Sequence, residues 1–364
     1  VCGRATAEAW LRVQVTREFV KELRTVNSFS GTAILSDQTN SGDHRPSVSI
    51  VIAAKDAGAF VATALRSALA QTMKDLEVIV VDDGSVDNTS DVVRACANGD
   101  SRVLLLRNDR SLGVSSARNR AISQARGDWI AVLDADDEFM LNRLEVMVGE
   151  ATQRDLDMLA DNLALRDFAT KAPVGRAYPA DWMGRPELVT FADLLERDMP
   201  GLEHKMFGCI KPLMRRSFLM ANDITYRDDV WCAEDFLLYA QSILKGARLG
   251  VMDEMLYIYS ERSDSVSASG PAAHRAVEVA RVNRLVGQMA HGRSPAHDRL
   301  IRERQTRFDY SAFAQLLKNA QLRKAALILS RVPIGHVATS ALAAVARRVK
   351  RLWPTERSNR IEAG

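Results

Sequence analysis

From Pro46 onward, short β-branched runs alternate with amphipathic stretches, and two of those runs stop abruptly at clusters of aspartate. The runs are Val48–Ile52, Val78–Val81, Val103–Leu106 and Trp129–Leu133. Between them, helical spacing covers Ala59–Ala70, Asp91–Ala97 and Val114–Ala125. Strand-length apolar runs separated by helix-length stretches are the mark of consecutive βαβ units. The expectation is an α/β fold with a mostly parallel central sheet flanked by helices. Beyond Asp155 the pattern is weaker. It predicts a strand near Met158, a loop-rich stretch over Lys171–Glu187, a helix after Ala233 and two further strands, Arg248–Met252 and Leu256–Tyr259. From about Pro271 the chain reads as mostly helical.

The two acidic clusters are Asp82-Asp83-Gly84-Ser85 and Asp134-Ala135-Asp136-Asp137, both at strand ends. In an open parallel sheet, ligands bind beyond the carboxyl ends of the strands, where loops diverge and helix N-termini offer unpaired N–H groups. A carboxylate at such an end can accept a hydrogen bond from a base or a ribose. Asp-Gly-Ser is also a common turn, and acids cap helices without any ligand. Three carboxylates within four positions, however, repel one another unless a cation, basic groups or solvent compensate. Mg²⁺ or Mn²⁺, held by one or two of them together with a ligand's phosphates, would do so.

Composition removes other classes. With 364 residues and 47% apolar content the chain can bury a full core. Its 49 basic and 46 acidic residues leave a net charge of +3, which offers no argument for nucleic acid. Cys2, Cys96, Cys209 and Cys232 form no CxxC pair, which fits reduced structural thiols in a cytoplasmic setting. No stretch is apolar for long enough to span a bilayer, and no secretion signal is legible. The first βα turn, Ala53-Ala54-Lys55-Asp56-Ala57-Gly58, lacks GxGxxG, which sets aside a nicotinamide dehydrogenase. His291 and His297 flank a loop with no acids in a fixed frame and read as bystanders rather than a metal pair.

Four motifs in order, Pro46–Ile52, the Asp82–Ser85 turn, Gly113-Val114-Ser115-Ser116-Ala117-Arg118-Asn119 and the Asp134–Asp137 cluster, resemble the inverting family-2 glycosyltransferases. That resemblance implies a GT-A fold binding a nucleoside-diphosphate sugar, usually a UDP-sugar, with a divalent metal on the diphosphate. By position it assigns Asp83 to the uracil or its surroundings. It makes Asp134, Ala135 and Asp136 the DxD element, touching ribose and metal, with Asp136 on the metal. Asp56 lies where the family contacts the nucleotide, and so does Ala53, although relatives often carry hydroxyl residues where Ala53 and Ala54 stand here. Arg118 can fork onto a phosphate or onto one of the carboxylates, and so organises the diphosphate site.

An inverting transfer needs a base for the acceptor hydroxyl. Trp231-Cys232-Ala233-Glu234-Asp235-Phe236 resembles the family's Glu-Asp element, in which the second acid, here Asp235, is the base. Glu234 and Asp229 remain competing assignments, and helix N-terminal placement alone would also put acids there. The processive Gln-x-x-Arg-Trp element is missing, so one sugar per encounter is expected. The acceptor implied is a saccharide or a polyprenyl-linked saccharide in bacterial exopolysaccharide or envelope glycan synthesis. A non-catalytic sugar-nucleotide binder of the same fold is the alternative. Three regions follow: an extension and linker (1–45), a GT-A catalytic domain (46–265) and a mostly helical region (266–364). Within the last, the stretch from Thr339 to Trp353 carries Arg347, Arg348, Lys350 and Arg351 beside an apolar face. It suits a helix lying on an anionic membrane surface at the inner face of the cell membrane, or a solvated basic helix.

Overall fold

A computed structural model describes residues 45–262, 272–329 and 331. The helix expected over Ala7–Val26 and the basic tail beyond Thr339 lie outside these residues. The four expected strands form as β1 (Val48–Ala54), β2 (Leu76–Asp82), β3 (Val103–Arg107) and β4 (Trp129–Val132). The helices between them are α1 (Val61–Leu69), α2 (Thr89–Ala97) and α3 (Val114–Gln124). All seven residues of β2 are buried, which is why its sequence shows no polar alternation.

The strands run in the order β3-β2-β1-β4 and pair in parallel, with Ile50 facing Val78 on one side and Ala131 on the other. Sequence order therefore reverses beside β1, and the crevice beyond the carboxyl ends of β1, β2 and β4 is a topological switch point. Both acidic clusters sit there.

After β4 come β5 (Glu138–Phe139), α4 (Arg143–Gln153), β6 (Met158–Asp167), β7 (Pro173–Arg176), α5 (Ala180–Met183), α6 (Phe191–Arg197), β8 (Leu213–Arg215), α7 (Arg216–Ala221), α8 (Glu234–Leu244) and β9 (Leu249–Glu261). The sheet continues β4-β8-β6-β9-β5, with β8 antiparallel to both neighbours and β6 parallel to β9. The two strands expected over 248–259 are one strand. Asp253 and Glu254 interrupt its apolar pattern, yet the backbone stays extended through register shifts opposite Asp161–Leu163. The stretch over 171–187, expected to be loop-rich, holds β7 and α5 as short elements. All four residues of β7 are exposed and Pro173 and Gly175 are among them, so it carries no strand signature.

The remaining helices are α9 (Ala272–Ala290), α10 (Pro295–Lys318) and α11 (Leu322–Leu329). Arg304 of α10, 1% exposed, donates to the carbonyls of Leu195 and Asp198 and to the Asp198 carboxylate, fastening these helices to the body of the protein.

Candidate functional site

The first aspartate cluster is spent on building the crevice. Asp82, fully buried, accepts from the Ser85 amide at 2.8 Å, the Ser90 hydroxyl and Arg107 Nη1 at 2.5 Å. Asp83, 3% exposed, accepts from Asn108 Nδ2, Ser111 Oγ and the backbone amides of Leu112 and Gly113, all within 2.7–2.9 Å. The carboxylate expected at a base thus orders the loop that enters α3. Gly84, at φ +66°, passes so close to that loop that a Cβ would lie 2.5 Å from the Arg110 carbonyl carbon. Asp56 is exposed, with a positive φ of 48°, and accepts from the Val86 amide at 2.8 Å. It joins the β1 turn to the β2 turn, while Ala53 is half-buried beside it.

Helix α3 presents three polar side chains at helical spacing to one partner segment. Ser115 Oγ donates to the Val230 carbonyl at 2.9 Å, and Asn119 exchanges hydrogen bonds with the Tyr226 backbone through both amide atoms. Arg118 reaches the end of the same segment. Its Nη1 lies 2.9 Å from Glu234 Oε1 and 3.0 Å from Asp235 Oδ1, and its Nη2 lies 2.8 Å from Asp134 Oδ1. Of the two kinds of partner expected for Arg118, the structure pairs it with carboxylates. Asp134 and the Glu234–Asp235 pair, far apart in the sequence, therefore meet on the one guanidinium of Arg118.

Lys211, which sequence reasoning missed, closes the cluster. Its Nζ stands 2.6 Å from Asp235 Oδ2 and 3.1 Å from Asp134 Oδ2, with only 5% of its side chain exposed. Its signal was a lone charge in the run Cys209-Ile210-Lys211-Pro212-Leu213-Met214, since an unpaired lysine is almost never buried. Burial would raise the Asp134 carboxyl, but Lys211 and Arg118 outweigh it and hold the pKa at about 2. Burial would likewise lower Lys211, yet Asp134 and Asp235 push it well above the ordinary lysine range. Glu234 is raised by burial and by the Asp235 charge. Tyr226 lies under the guanidinium of Arg118, 5.1 Å away, with its hydroxyl buried.

The three carboxylates of the second cluster have separate fates. Asp134 faces Arg118 and Lys211 as described. Asp137, 2% exposed, accepts from the Tyr257 hydroxyl at 2.8 Å and the Ser260 amide at 2.7 Å, so it braces the loop against β9. Asp136 keeps 23% of its side chain open and meets Arg262 at 3.4 Å, while Arg262 itself packs over Phe60 and Phe168. Burial and the neighbouring Asp134 charge raise the Asp136 carboxyl, a deficit of positive charge that a cation would relieve. Ala135, 8% exposed, contributes only backbone and a methyl between them. Among the described residues no three His, Cys, Asp or Glu side chains converge on a metal-sized position. A divalent ion at Asp136 would therefore take one protein carboxylate and complete its shell with phosphate and water oxygens, which suits Mg²⁺ or Mn²⁺. The two histidines lie elsewhere: His297 packs edge-on against Phe191 at 5.1 Å, and His291 stands 4.0 Å from Asp298.

A mostly parallel sheet with acids beyond its strand ends at the switch point is the architecture of a nucleotide-binding α/β protein, and comparison with known proteins gives the class. The chain belongs to glycosyl transferase family 2, whose model matches residues 49–212. It is 33% identical over 268 residues to succinoglycan biosynthesis protein ExoU of Rhizobium meliloti, covering 71% of this chain and 76% of ExoU. It is 34% identical over 225 residues to ExoO of the same organism, covering 62% of this chain but only 64% of ExoO. In fold it is similar to S. aureus TarS 1–349 in complex with UDP-GlcNAc, with a TM-score of 0.60, 19% identity, and coverage of 80% of this chain and 83% of TarS. The fold is GT-A and the protein is a glycosyltransferase.

Proposed function

We propose that this chain transfers a sugar from a UDP-sugar to a hydroxyl of a saccharide or polyprenyl-linked saccharide, with inversion, during exopolysaccharide assembly. The observation that carries the reading is the cluster in which Asp134, at the donor side, and Asp235, at the start of α8, share Arg118 and Lys211. The relatives' role in succinoglycan biosynthesis and the UDP-GlcNAc held by TarS support the pathway and the donor class.

In this mechanism Asp134, Ala135, the β1 turn with Ala53 and Asp56, and the β2 turn with Asp83 form the donor pocket. Asp235 removes the proton of the acceptor hydroxyl as its oxygen attacks the anomeric carbon. The new C–O bond forms on the face opposite the departing nucleoside diphosphate, so an α-linked donor gives a β-linked product. Arg118 and Lys211 hold the Asp235 carboxylate in place, one on each oxygen, at 3.0 and 2.6 Å. Asp136 would hold a divalent ion, whose positive charge stabilises the diphosphate as it leaves. The acceptor would be met at the inner face of the membrane. Among the described residues no helix is long and apolar enough to cross it.

The reading is tested by UDP or GDP release from a panel of sugar nucleotides with Mn²⁺ or with chelator, in parent and Asp136→Ala. Metal-dependent release of UDP that Asp136→Ala abolishes is expected. Nucleotide binding with no release from any donor, even with lipid-linked acceptors supplied, would replace it with a non-catalytic binder.

A further inference from the structure

Asp134 and Asp235 belong to elements 101 positions apart in the chain, yet they are two corners of one closed ring. Going round, Asp134 Oδ1 meets Arg118 Nη2 at 2.8 Å and Arg118 Nη1 meets Asp235 Oδ1 at 3.0 Å. Asp235 Oδ2 meets Lys211 Nζ at 2.6 Å, and the same Nζ meets Asp134 Oδ2 at 3.1 Å. Every oxygen of both carboxylates is engaged, so neither can turn without breaking a contact of the other.

The two cations of the ring are not equivalent. Arg118 also holds Glu234 at 2.9 Å, so its positive charge is divided among three acids. Among the described residues Lys211 pairs with the two ring carboxylates, and it stands where they face each other. It approaches from a different direction, from the segment that leads into β8 and whose Lys211 carbonyl accepts from the fully buried Arg143 at 2.6 Å. Arg143 in turn is clamped by Asp161 at 2.8 Å and lies over the rings of Phe139 and Tyr257. The ammonium is thus mounted on a rigid base. Without it, two carboxylates in a poorly solvated crevice would face each other with one shared guanidinium, and repulsion would drive them apart.

We infer that Lys211 is a positioning residue for the transfer, coupling the donor-side Asp134 to the base Asp235 so that nucleotide binding and proton removal depend on one ammonium. This rests on the reading of Asp235 as base. It makes two quantities move together that an ordinary buried lysine would leave independent: the affinity for nucleotide and the turnover of bound donor.

The test is Lys211→Ala in the full chain, with UDP and Mn²⁺ binding followed by calorimetry and turnover measured on the UDP-sugar that the parent uses in the donor panel. Both are then repeated with methylammonium, which fits where the ammonium is removed. A roughly tenfold weaker UDP affinity is expected, with a roughly hundredfold lower turnover, and saturable recovery of both with methylammonium. Lys211→Gln, one atom shorter, polar and uncharged, serves if the alanine variant does not fold, and should lose both quantities in the same direction. A folded variant that keeps either quantity at the parental value overturns the coupling. So does a loss that methylammonium leaves untouched and that merely tracks the unfolded fraction. Failure of the base assignment would look different: Asp235→Asn would turn over normally while Lys211→Ala still weakened UDP.

Discussion

The guanidinium of Arg118 stands 2.8 Å from the Asp134 carboxylate, and that contact joins the end of β4 to the helix face on which the 226–235 segment is built. Arg118→Lys keeps the charge but cannot reach three carboxylates with one point donor. Turnover is expected to fall roughly a hundredfold in Arg118→Lys. Arg118→Met, which leaves the acids unpaired, should in addition lose about 3–5 kcal/mol of folding stability. Steady-state kinetics and urea unfolding of the two variants check this; equal stability of Arg118→Met and parent would contradict it.

Asp83 is predicted to act through the loop it holds. Asp83→Asn replaces either the oxygen facing Asn108 and the Leu112 amide or the one facing Ser111 and the Gly113 amide with an N–H₂ group that cannot accept. Hydrogen exchange over residues 108–113 should accelerate, and UDP affinity should weaken about tenfold, with exchange in β1 unchanged. Parental exchange in that loop would mean that Asp83 acts elsewhere.

The acid limb of stability should carry the signature of Asp134. Burial opposes its ionisation, but Lys211 and Arg118 bring its pKa down to about 2, below the ordinary aspartate value of about 3.9. Folding thus favours the ionised form. That contribution, on the order of 2 kcal/mol, is complete above about pH 4 and disappears as the pH falls through about 2. The stability gap between parent and Asp134→Asn should therefore shrink across that window in urea titrations. A gap that stays constant from pH 5 to pH 2 would show that the ion pairs do not form.

Ala233 precedes the Glu234–Asp235 pair in the left-handed region, at φ +63°. Glycine adopts that conformation without a Cβ penalty, although it loses more chain entropy on folding. Ala233→Gly should stabilise the protein by up to about 1 kcal/mol. At Gly84 the relation reverses, because a Cβ there meets the backbone of Arg110 and Ser111. Gly84→Ala should cost roughly 2 kcal/mol or more, as expected where a strained backbone also clashes. Thermal and urea unfolding of the pair gives both signs in one experiment.

How far the sequence was readable follows from how local each signal was. Strands β1 to β4 and their helices were legible because each is a continuous apolar run closed by a turn, and the acids at their ends lie within a few residues of those runs. Beyond β4 the elements are antiparallel, short or interrupted. β8 has three residues, β7 is an exposed edge with Pro173 and Gly175, and β9 runs through Asp253-Glu254 by shifting register. At the site, motif positions pointed to Asp134, Arg118 and Asp235, which the fold brings together. Lys211 and Arg262 had no motif, because their partners are fixed only when β8 and β9 fold beside β4. The same three-dimensional pairing turned Asp137 from a candidate ligand into a brace for the loop.

The most direct measurement is turnover and UDP affinity of Asp235→Asn, on the donor that the parent uses. If Asp235 is the base, turnover falls by about 10²–10⁴-fold, the range for loss of a positioned base, with UDP bound within a few-fold of parental affinity. Parental turnover in a folded Asp235→Asn would contradict the assignment of Asp235 as the base.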